Sequence, residues 1–436
     1  MPLPSPFDRA PRPVARRQLL VFLACVCALL GVFVGPLTQS RDLMALWLAA
    51  QEVAAGHPGA IYPPETPVFL MRPAFDWYEM AARIGRPGEV YPYLYPPLWA
   101  HLLAPLTRLM TFTTFAQIVF TLNLVALMSL PVIGFRLAFG SAADNRDQLA
   151  WICMAVLVLG LMPGTLIALD QGQLQIPVAM LTLFALERAQ NGRPVAGGLA
   201  MGLAIALKLS PLPLVLLWLI IGQWRAALTA VGLASALGLA SIGVAGWPRH
   251  LEFLSLLQTV NATVMVNALI VSLDQLVTTI TGTEGLTILL EIPVALGPSD
   301  AGWAVQATPA GHGALKTSLM LGLIAGFGLA LRARPTPGAR TALWGAAFTA
   351  FAFIGPIGWA YYYIAPLALS PILIHRLGRR GLGLVALTSL LFLFDWLVLL
   401  PPVIRPALPI AASIGALVLI AGFVAAAFAP HRENLA

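Results

Sequence analysis

Charged side chains are scarce in this chain. Asp, Glu, Lys and Arg make up 10% of its 436 residues, against about a quarter in soluble globular domains. Hydrophobic residues make up 59%, and many apolar runs approach the roughly 20 residues that cross about 30 Å of hydrocarbon. The composition therefore excludes a soluble globular protein and predicts a polytopic membrane protein.

Cysteine is also rare, and the usual motifs for metals and nucleotides are missing. Cys25, Cys27 and Cys153 each lie in an apolar run, where cysteine acts as a small hydrophobic residue, so no disulfide framework is expected. The histidines have no HxxxH or HExxH spacing, which argues against a metal site. No Walker or GxGxxG phosphate loop occurs in a suitable setting. We therefore expect no metal and no cofactor.

The apolar runs divide the chain, taken as one membrane domain of residues 1–436, into about twelve predicted spans. The first is interpreted as an uncleaved helix, because no small-residue cleavage site closes the apolar stretch after the basic N-terminus. A break at Ser210-Pro211-Leu212-Pro213 shortens the fifth and sixth spans, which fits either helices that stop at a cavity or ordinary proline kinks. The predicted spans are 18–37, 113–136, 149–168, 174–190, 194–209, 211–223, 226–246, 314–332, 341–357, 360–375, 382–399 and 407–428.

Arginines gather in the short loops between these spans, and they predict the orientation. The positive-inside rule puts both termini in the cytoplasm, and it explains the net charge of +7 better than nucleic-acid binding, because no basic stripe forms. Two long loops, 38–112 and 247–313, then face outward. In the first loop, Leu43 to Ala55 and Leu98 to Met110 are predicted interfacial elements. Nucleotide donors are cytoplasmic, so energy for a transfer at this face should come from a lipid-linked substrate.

Asp42 follows the first span at the predicted water–lipid boundary, beside a loop rich in Tyr, Trp and Pro. A carboxylate at a partly dehydrated interface has a raised pKa, which suits a general base near neutral pH. Asp is also favoured as the N-cap of a helix, here one beginning at Leu43, and both roles can hold at once. Asp42 is the candidate catalytic base.

Several short motifs resemble glycosyltransferase family 87, a family of the GT-C superfamily whose enzymes use polyprenol-phosphate sugars. The resemblance covers most of the chain, and its strength lies in the order and shared outer position of the motifs. In the last motif, Gly355 and Gly358 stand where the family has serines, and Tyr361 to Tyr363 occupy its histidine region. The motifs are Asp42-Leu-Met-Ala-Leu-Trp-Leu-Ala-Ala with Gly56 and Ile61-Tyr62-Pro63, Tyr95-Pro96-Pro97-Leu98 with Pro105-Leu106, Gln171-Gly172-Gln173, Leu207-Lys208 with Pro211, and Gly355-Pro-Ile-Gly-Trp-Ala-Tyr-Tyr-Tyr363.

The resemblance implies a GT-C-type bundle of about twelve transmembrane helices, and a sugar on polyprenyl phosphate as the donor. Lys208 is one of two lysines, and with Arg41 it is the candidate for binding the donor phosphate; an end-of-helix lysine that snorkels is the alternative. Asp274 is interpreted as structural, and Asp395 is left outside the site. Candidates for binding the sugar or acceptor are Tyr62, Tyr91, Tyr95, Asp170, Gln171, Gln173, Trp359, Tyr361 and Tyr362, although interfacial aromatics are often only membrane anchors.

Together these features predict an all-α integral membrane glycosyltransferase of the bacterial inner membrane, with its active site on the outer, periplasmic face. It would move mannose or a similar hexose from polyprenyl phosphate to a glycolipid or polysaccharide hydroxyl, with inversion. A transporter or flippase is the alternative, as is transfer of an arabinosyl or other sugar by the same fold. No nucleic-acid partner is expected.

Overall fold

The computed structural model describes residues 39–73, 76–88, 90–140, 145–281, 287–290, 302–394 and 408–430. The predicted first span and Asp395 lie outside these residues. The described chain is mostly helical, in agreement with the predicted class. Its helices are α1 Arg41–Ala54, α2 Asp76–Arg83, α3 Pro97–Leu103, α4 Phe112–Phe139, α5 Asn145–Leu161, α6 Pro163–Asp170, α7 Gln175–Gln190, α8 Pro194–Leu207, α9 Leu212–Ile220, α10 Trp224–Ala245, α11 Trp247–Asn261, α12 Leu273–Thr281, α13 His312–Ala333, α14 Pro337–Ile354, α15 Ile364–Leu369, α16 Pro371–Leu377, α17 Arg379–Phe394 and α18 Leu408–Phe428.

Among the described residues, four helices are long and apolar enough to cross a membrane alone: α4, α10, α13 and α18. A fifth span results if α5 and α6 are counted together, although they meet at an angle of 70°. Met162 causes this bend, because a residue that precedes proline is disfavoured in the helical conformation, and it adopts an extended one. The predicted total of about twelve spans stays a prediction.

Helices α8 and α9 have 14 and 9 residues, and the chain between Leu207 and Leu212 is not helical. The proline-rich segment thus separates two short helices. Three glycines let α8 lie close to its neighbours α7 and α10, since an added Cβ would come within 2.6 to 2.8 Å of a backbone carbonyl of those helices. These glycines are Gly197, Gly198 and Gly202.

Helix α1 begins the first loop at the predicted position, but it lies inside the protein. Residues Leu43 to Ala50 are all buried, and the helix packs on α3 and on the 3₁₀ turn Ala104–Arg108. A helix that is buried on all sides is held in place by contacts with other parts of the protein, whereas an interfacial helix is held by one apolar face that contacts lipid. Its predicted interfacial position stays a prediction.

A small antiparallel sheet in the second loop was not predicted. It consists of β1 Thr263–Val266, β2 Thr287–Leu290 and β3 Gly302–Ala307, in the order β1-β3-β2. Val305 is paired with Met265 on one side and with Thr287 on the other. The hydroxyl of Thr263 accepts a hydrogen bond from the amide of Phe69, at 2.8 Å. Through this contact the two long loops touch each other.

Candidate active site

The first residues of α1 dock on the turn that follows α6. The amide of Ser40 donates to the carbonyl of Asp170 at 2.7 Å, and the amide of Leu43 donates to the carbonyl of Gln171 at 3.2 Å. Gly172 completes this turn with φ of +67°, and an added Cβ would lie 2.9 Å from the Leu43 Cβ. Only glycine fits both the conformation and the approach.

This docking places the Asp42 carboxylate against the side chain of Gln173. The Gln173 Nε2 donates a hydrogen bond to Asp42 Oδ2. The helix begins at Arg41, with Ser40 at the N-cap position, so Asp42 lies in the first turn and does not cap the helix. There the helix dipole favours its negative charge, and its carboxylate is directed to another element.

The environment of Asp42 alters its acidity. Burial raises the pKa of the carboxyl group to about 6, while the positive charge of Lys208 and the hydrogen bond from Gln173 oppose the rise. Asp42 keeps part of its surface open to a cavity, although it lies deep in the protein. A carboxylate with this pKa is ionised at neutral pH and accepts a proton more readily than an exposed aspartate.

Lys208 reaches the same cavity from the end of α8. It is the first residue after the helix and has an extended backbone conformation. Its Nζ lies 4.7 Å from the ring centroid of Tyr362 and 5.2 Å from that of Tyr361. At these distances an ammonium group is attracted to aromatic faces. The cation is therefore held beside two tyrosines, with its charge close enough to act on Asp42.

The segment Gly355 to Tyr363 forms the aromatic wall of the site. The rings of Trp359 and Tyr361 stack with centroids 5.7 Å apart and an interplanar angle of 9°. The Tyr363 hydroxyl donates to the carbonyl of Val271 at 2.8 Å. A Cβ added to Gly358 would lie 2.2 Å from that same carbonyl oxygen. Serine, which the related motif has here, does not fit against this backbone.

A buried ion cluster supports the beginning of this segment. Asp274 is 3% exposed and contacts His312 at 2.8 Å and Lys316 at 2.5 Å. Lys316 also donates to the carbonyl of Gly355 at 3.3 Å. The cluster connects α12, α13 and the aromatic wall, which agrees with a structural role for Asp274.

The tyrosine-rich end of the first loop is fixed by its own hydrogen bonds. The Tyr93 hydroxyl donates to the carbonyl of Pro96 at 2.6 Å and accepts from the amide of Ala100 at 3.2 Å. The indole of Trp99 donates to the carbonyl of Ala206 at 2.8 Å. Since Ala206 lies two residues before Lys208, this bond connects the loop to the end of α8.

These elements enclose a cavity of about 450 Å³. One part of its lining is polar or aromatic: Asp42, Tyr91, Tyr95, Gln171, Gln173, Gln175, Lys208, Trp359, Tyr361 and Tyr362. Another part is apolar: Ile167, Val178, Leu212, Leu214, Met320, Phe348 and Phe351. The cavity thus offers a polar region for a hydrophilic group and an apolar region for a hydrocarbon chain.

Three buried glutamines lack partners for their side-chain oxygens. Gln171, Gln173 and Gln175 are 8%, 2% and 6% exposed, and among the described residues no group donates to their Oε1 atoms. A buried acceptor without a donor is costly, and all three side chains line the cavity.

Sequence reasoning missed two polar residues of this region. Gln175 follows Gln173 at the same two-residue spacing that separates Gln171 from Gln173. This regular spacing could have identified Gln175 as a further site residue. Asn123, in the middle of α4, is 1% exposed, and its Nδ2 donates to the carbonyl of Gln173 at 3.2 Å. A polar side chain inside an apolar span is unusual enough to be a signal by itself.

The structure brings nine of the twelve predicted site residues to one cavity and places three elsewhere. Arg41 precedes Asp42 by one helical residue, a rotation of about 100°, and does not line the cavity. Asp170 accepts a hydrogen bond from the amide of Gln39 at 3.2 Å. Tyr62 donates to the carbonyl of Tyr95 at 2.8 Å and lines a second cavity. Ligand contacts stay predictions for all twelve residues.

Comparison with known proteins finds a family match and two relatives. The model of glycosyltransferase family 87 matches residues 93–356. A polyprenol-phosphate-mannose-dependent alpha-(1-2)-phosphatidylinositol mannoside mannosyltransferase of Mycobacterium tuberculosis is 31% identical over 226 residues, 46% of this chain and 51% of the relative. The protein of that name from Mycolicibacterium smegmatis is 27% identical over 198 residues, 41% of this chain and 45% of the relative. The chain thus spans about half the length of these relatives.

Proposed function

The chain belongs to glycosyltransferase family 87, and from this membership we propose that it transfers a sugar from a polyprenyl-phosphate donor to an acceptor hydroxyl. The observation that carries the proposal is the shared cavity of Asp42 and Lys208, which is lined by three glutamine side chains and also by hydrocarbon side chains. A lipid-linked sugar has the same division into a hydroxyl-rich head, a phosphate and an apolar tail.

The names of the two relatives guide the choice of substrates. Both are named for polyprenol-phosphate-mannose and for a phosphatidylinositol mannoside. We propose mannose or a similar hexose as the transferred sugar, and a glycolipid or polysaccharide as the acceptor. An arabinosyl or other sugar is the alternative for the same cavity, because the shape of the pocket decides between sugars.

The reaction we propose is a single inverting displacement. Asp42 takes the proton of the acceptor hydroxyl, and the acceptor oxygen forms a bond to the anomeric carbon. The bond between that carbon and the phosphate oxygen breaks, and the electron pair leaves with polyprenyl phosphate. Lys208 stabilises the negative charge that develops on the departing phosphate. The protonated Asp42 then releases its proton to water.

Different parts of the cavity would hold different parts of the donor. The side-chain amides of Gln171, Gln173 and Gln175 would turn toward the cavity to bond sugar hydroxyls, while the stacked Trp359 and Tyr361 would offer an aromatic face to the ring. The polyprenyl chain would lie along the apolar lining between α9, α13 and α14.

The membrane arrangement belongs to the same proposal. We propose about twelve spans, cytoplasmic termini and an active site on the periplasmic face of a bacterial inner membrane, with α1 and α3 near the interface. The relatives are bacterial, and the described part of the chain contains several helices of membrane length. The one-sided distribution of arginines supports the orientation.

The test uses purified full-length chain in lipid vesicles with labelled polyprenyl-phosphate mannose and a glycolipid acceptor. Acceptor-dependent release of polyprenyl phosphate is the expected result, and Asp42→Asn should lower kcat by about 10²- to 10⁴-fold. The matched control is Asp76→Asn, an exposed aspartate in the same loop, which should leave turnover unchanged. Movement of the intact lipid-linked sugar across the vesicle without release would instead identify a transporter.

A further inference from the structure

Asn123 is a polar residue in the middle of an apolar helix. It follows Phe112, the first of the 28 residues of α4, by eleven positions, which is about 16 Å along the helix. Helix α4 is long and apolar enough to cross a membrane alone, and Asn123 is 1% exposed. An amide at this depth has no water to bond, so its partner must come from the protein.

The partner is the backbone carbonyl of Gln173, to which the Asn123 Nδ2 donates at 3.2 Å. At the start of α7, the amide of Val178 donates to the carbonyl of Leu174 at 3.1 Å. By the same four-residue pattern, the carbonyl of Gln173 would accept from residue 177. That residue is Pro177, which has no N–H to donate. Asn123 therefore supplies the donor that the helix itself cannot.

This bond helps to fix the direction of the Gln173 side chain. The amide of Gln173 donates to the carbonyl of Ala168 at 2.8 Å, so both backbone groups of Gln173 are bonded. The side chain leaves the Cα between these two groups, and its direction is set when both are held. That side chain donates to Asp42 Oδ2. Asn123 is thus connected to the candidate base through a single residue.

Other polar residues of α4 bond within their own helix. The hydroxyls of Thr121 and Ser129 each donate to a carbonyl of α4, at 2.9 and 2.6 Å, which is the usual way to satisfy such a group inside a helix. Asn123 instead reaches another element, at the turn that carries Gln173. Packing of α4 on α7 alone would be served by an apolar side chain of the same size, so the amide has a further purpose.

We propose that Asn123 is a positioning residue of the transfer reaction. Its amide holds the Gln173 turn, so that the Gln173 side chain directs the Asp42 carboxylate toward the acceptor hydroxyl. This inference rests on the proposed function, and it assigns part of the catalytic geometry to a helix of membrane length. Asn123 itself does not line the cavity and touches no reacting atom.

The ionisable groups around Asp42 belong to elements other than α4. The positive charge of Lys208, at the end of α8, lowers the pKa of Asp42. The tyrosines that share the cavity come from the first loop and the aromatic wall: Tyr91, Tyr95, Tyr361 and Tyr362. A substitution confined to Asn123 removes none of these groups, and its effect on Asp42 passes through Gln173.

The experiment titrates Asp42 in the full-length chain in detergent by infrared difference spectroscopy, with Asp42→Asn as the reference, and measures turnover in parallel. The bond from Gln173 lowers the pKa of Asp42, whose midpoint is about 6, so a loosened bond should raise it. Asn123→Leu should shift the midpoint upward by about half a unit to one unit, part of the roughly one to two units that a hydrogen bond to a charged group represents. Its kcat should fall about tenfold or more, with little change in the KM for the donor, because displacement of a catalytic group acts on the chemical step. Ser129→Ala, which removes a hydroxyl that bonds within α4, should change neither quantity.

Two double variants test the route of the effect. Pro177→Ala returns an N–H to position 177, so its combination with Asn123→Leu should bring the midpoint back toward the wild-type value. On a Gln173→Leu background, Asn123→Leu should add no further shift, because residues that act through one contact are not additive. A double variant with Pro177→Ala that recovers nothing would show that the amide does not act through this carbonyl, and would overturn the proposal.

The proposal is also overturned if Asn123→Leu leaves the Asp42 midpoint unchanged, or shifts it equally with and without the Gln173 side chain. If Asn123→Leu does not fold, Asn123→Ser tests the same point, because a serine hydroxyl in a helix bonds a carbonyl of its own helix. Failure of the proposed function has a different signature: the infrared midpoint still shifts, but the wild-type chain releases no polyprenyl phosphate. Release by the wild type, with an unshifted Asp42 in the Asn123 variant, refutes the positioning role alone.

Discussion

Gln173 donates its side-chain amide to the carboxylate of Asp42, although 131 positions separate the two residues in sequence. The Oε1 of the same side chain is buried and has no donor among the described residues. Gln173, predicted from sequence only as a sugar or acceptor contact, therefore also holds the candidate base in place. Its position depends on Gly172, which allows the close contact with Leu43.

Replacing Gln173 with Leu should change the pH profile of the reaction. The hydrogen bond from Gln173 lowers the pKa of Asp42 against the effect of burial, so its loss should raise that pKa further. Because the base must be ionised, kcat/KM rises with pH through the pKa of Asp42, with a wild-type midpoint of about 6. The variant's midpoint should lie at higher pH in a kcat/KM profile. An unchanged midpoint would show that this bond does not tune the base.

Replacing Lys208 with Gln should lower kcat and should also shift the rise of kcat/KM with pH to higher pH. The neutral side chain no longer stabilises the leaving phosphate, and loss of one such contact costs about 10²- to 10³-fold in kcat. The positive charge of Lys208 also lowers the pKa of Asp42, and this effect disappears. Lys208→Arg is the control, because it retains the charge and should keep the midpoint near the wild-type value. A lysine that only snorkels at the interface would leave kcat intact in both variants.

Replacing Gln175 with Leu should separate stability from binding. The buried Oε1 of Gln175 has no donor among the residues that the structure describes, and removal of such a group relieves a cost of about 1–3 kcal/mol. The variant should therefore unfold at a higher temperature in detergent, while the KM for the donor increases. Gln117→Leu, at an exposed position of α4, should leave the KM unchanged. A lower unfolding temperature with normal KM would assign Gln175 to the packing of α7.

Replacing Gly358 with Ala should destabilise the aromatic wall. The new Cβ would lie 2.2 Å from the Val271 carbonyl oxygen, and relief of such overpacking typically costs about 1–3 kcal/mol or more. Gly326→Ala is the control, since it adds a methyl group where nothing lies within 4 Å. Unfolding temperatures measured in one detergent compare the two. Equal temperatures would contradict the close backbone contact.

Replacing Asp274 with Ala should be more damaging than the loss of a surface acid. Lys316 and His312 would lose their buried partner, and removal of one member of a buried ion pair costs about 3–5 kcal/mol. Glu79→Ala, which removes the partner of an exposed i,i+4 pair with Arg83, should cost about 0–1 kcal/mol. The double variant Asp274→Leu with Lys316→Met should recover part of the loss. If the double variant recovers none of the loss, charge pairing alone does not explain how the cluster stabilises the protein.

Much of the candidate site was predictable, because its residues stand out against an apolar background. Asp42 and Lys208 are conspicuous in a chain with 10% charged residues, and the tyrosines and glutamines form short recognisable motifs. Predicted spans such as 113–136 and 314–332 coincide with α4 and α13. The bend at Met162 was also readable in principle, because Pro163 follows it directly.

Other features depend on contacts that no local pattern contains. The sheet of the second loop pairs Thr263 with Ala307 across the whole of α12, and each strand by itself is a short run of a few residues. The burial of α1 depends on α3 and the following turn rather than on its own periodicity. Asp170 and Arg41 look equivalent to Gln171 and Asp42 in sequence. Asp170 ends α6 whereas Gln171 lies in the turn that follows, and the neighbouring residues Arg41 and Asp42 leave α1 in different directions.

The sequence by itself determined that this is a helical membrane protein and a member of its glycosyltransferase family, because composition and the order of the motifs can be read without knowing which residues are in contact. Tertiary structure alone decided which polar residues share a cavity. The shared cavity depends on two close contacts, that of Gly172 with Leu43 and that of Gly358 with Val271. These contacts bring segments that are distant in sequence to within hydrogen-bonding distance. Hydrogen bonds and ion pairs act over a few ångströms, so a group such as the Asp42 carboxylate acquires its chemistry only when the chain has folded around it.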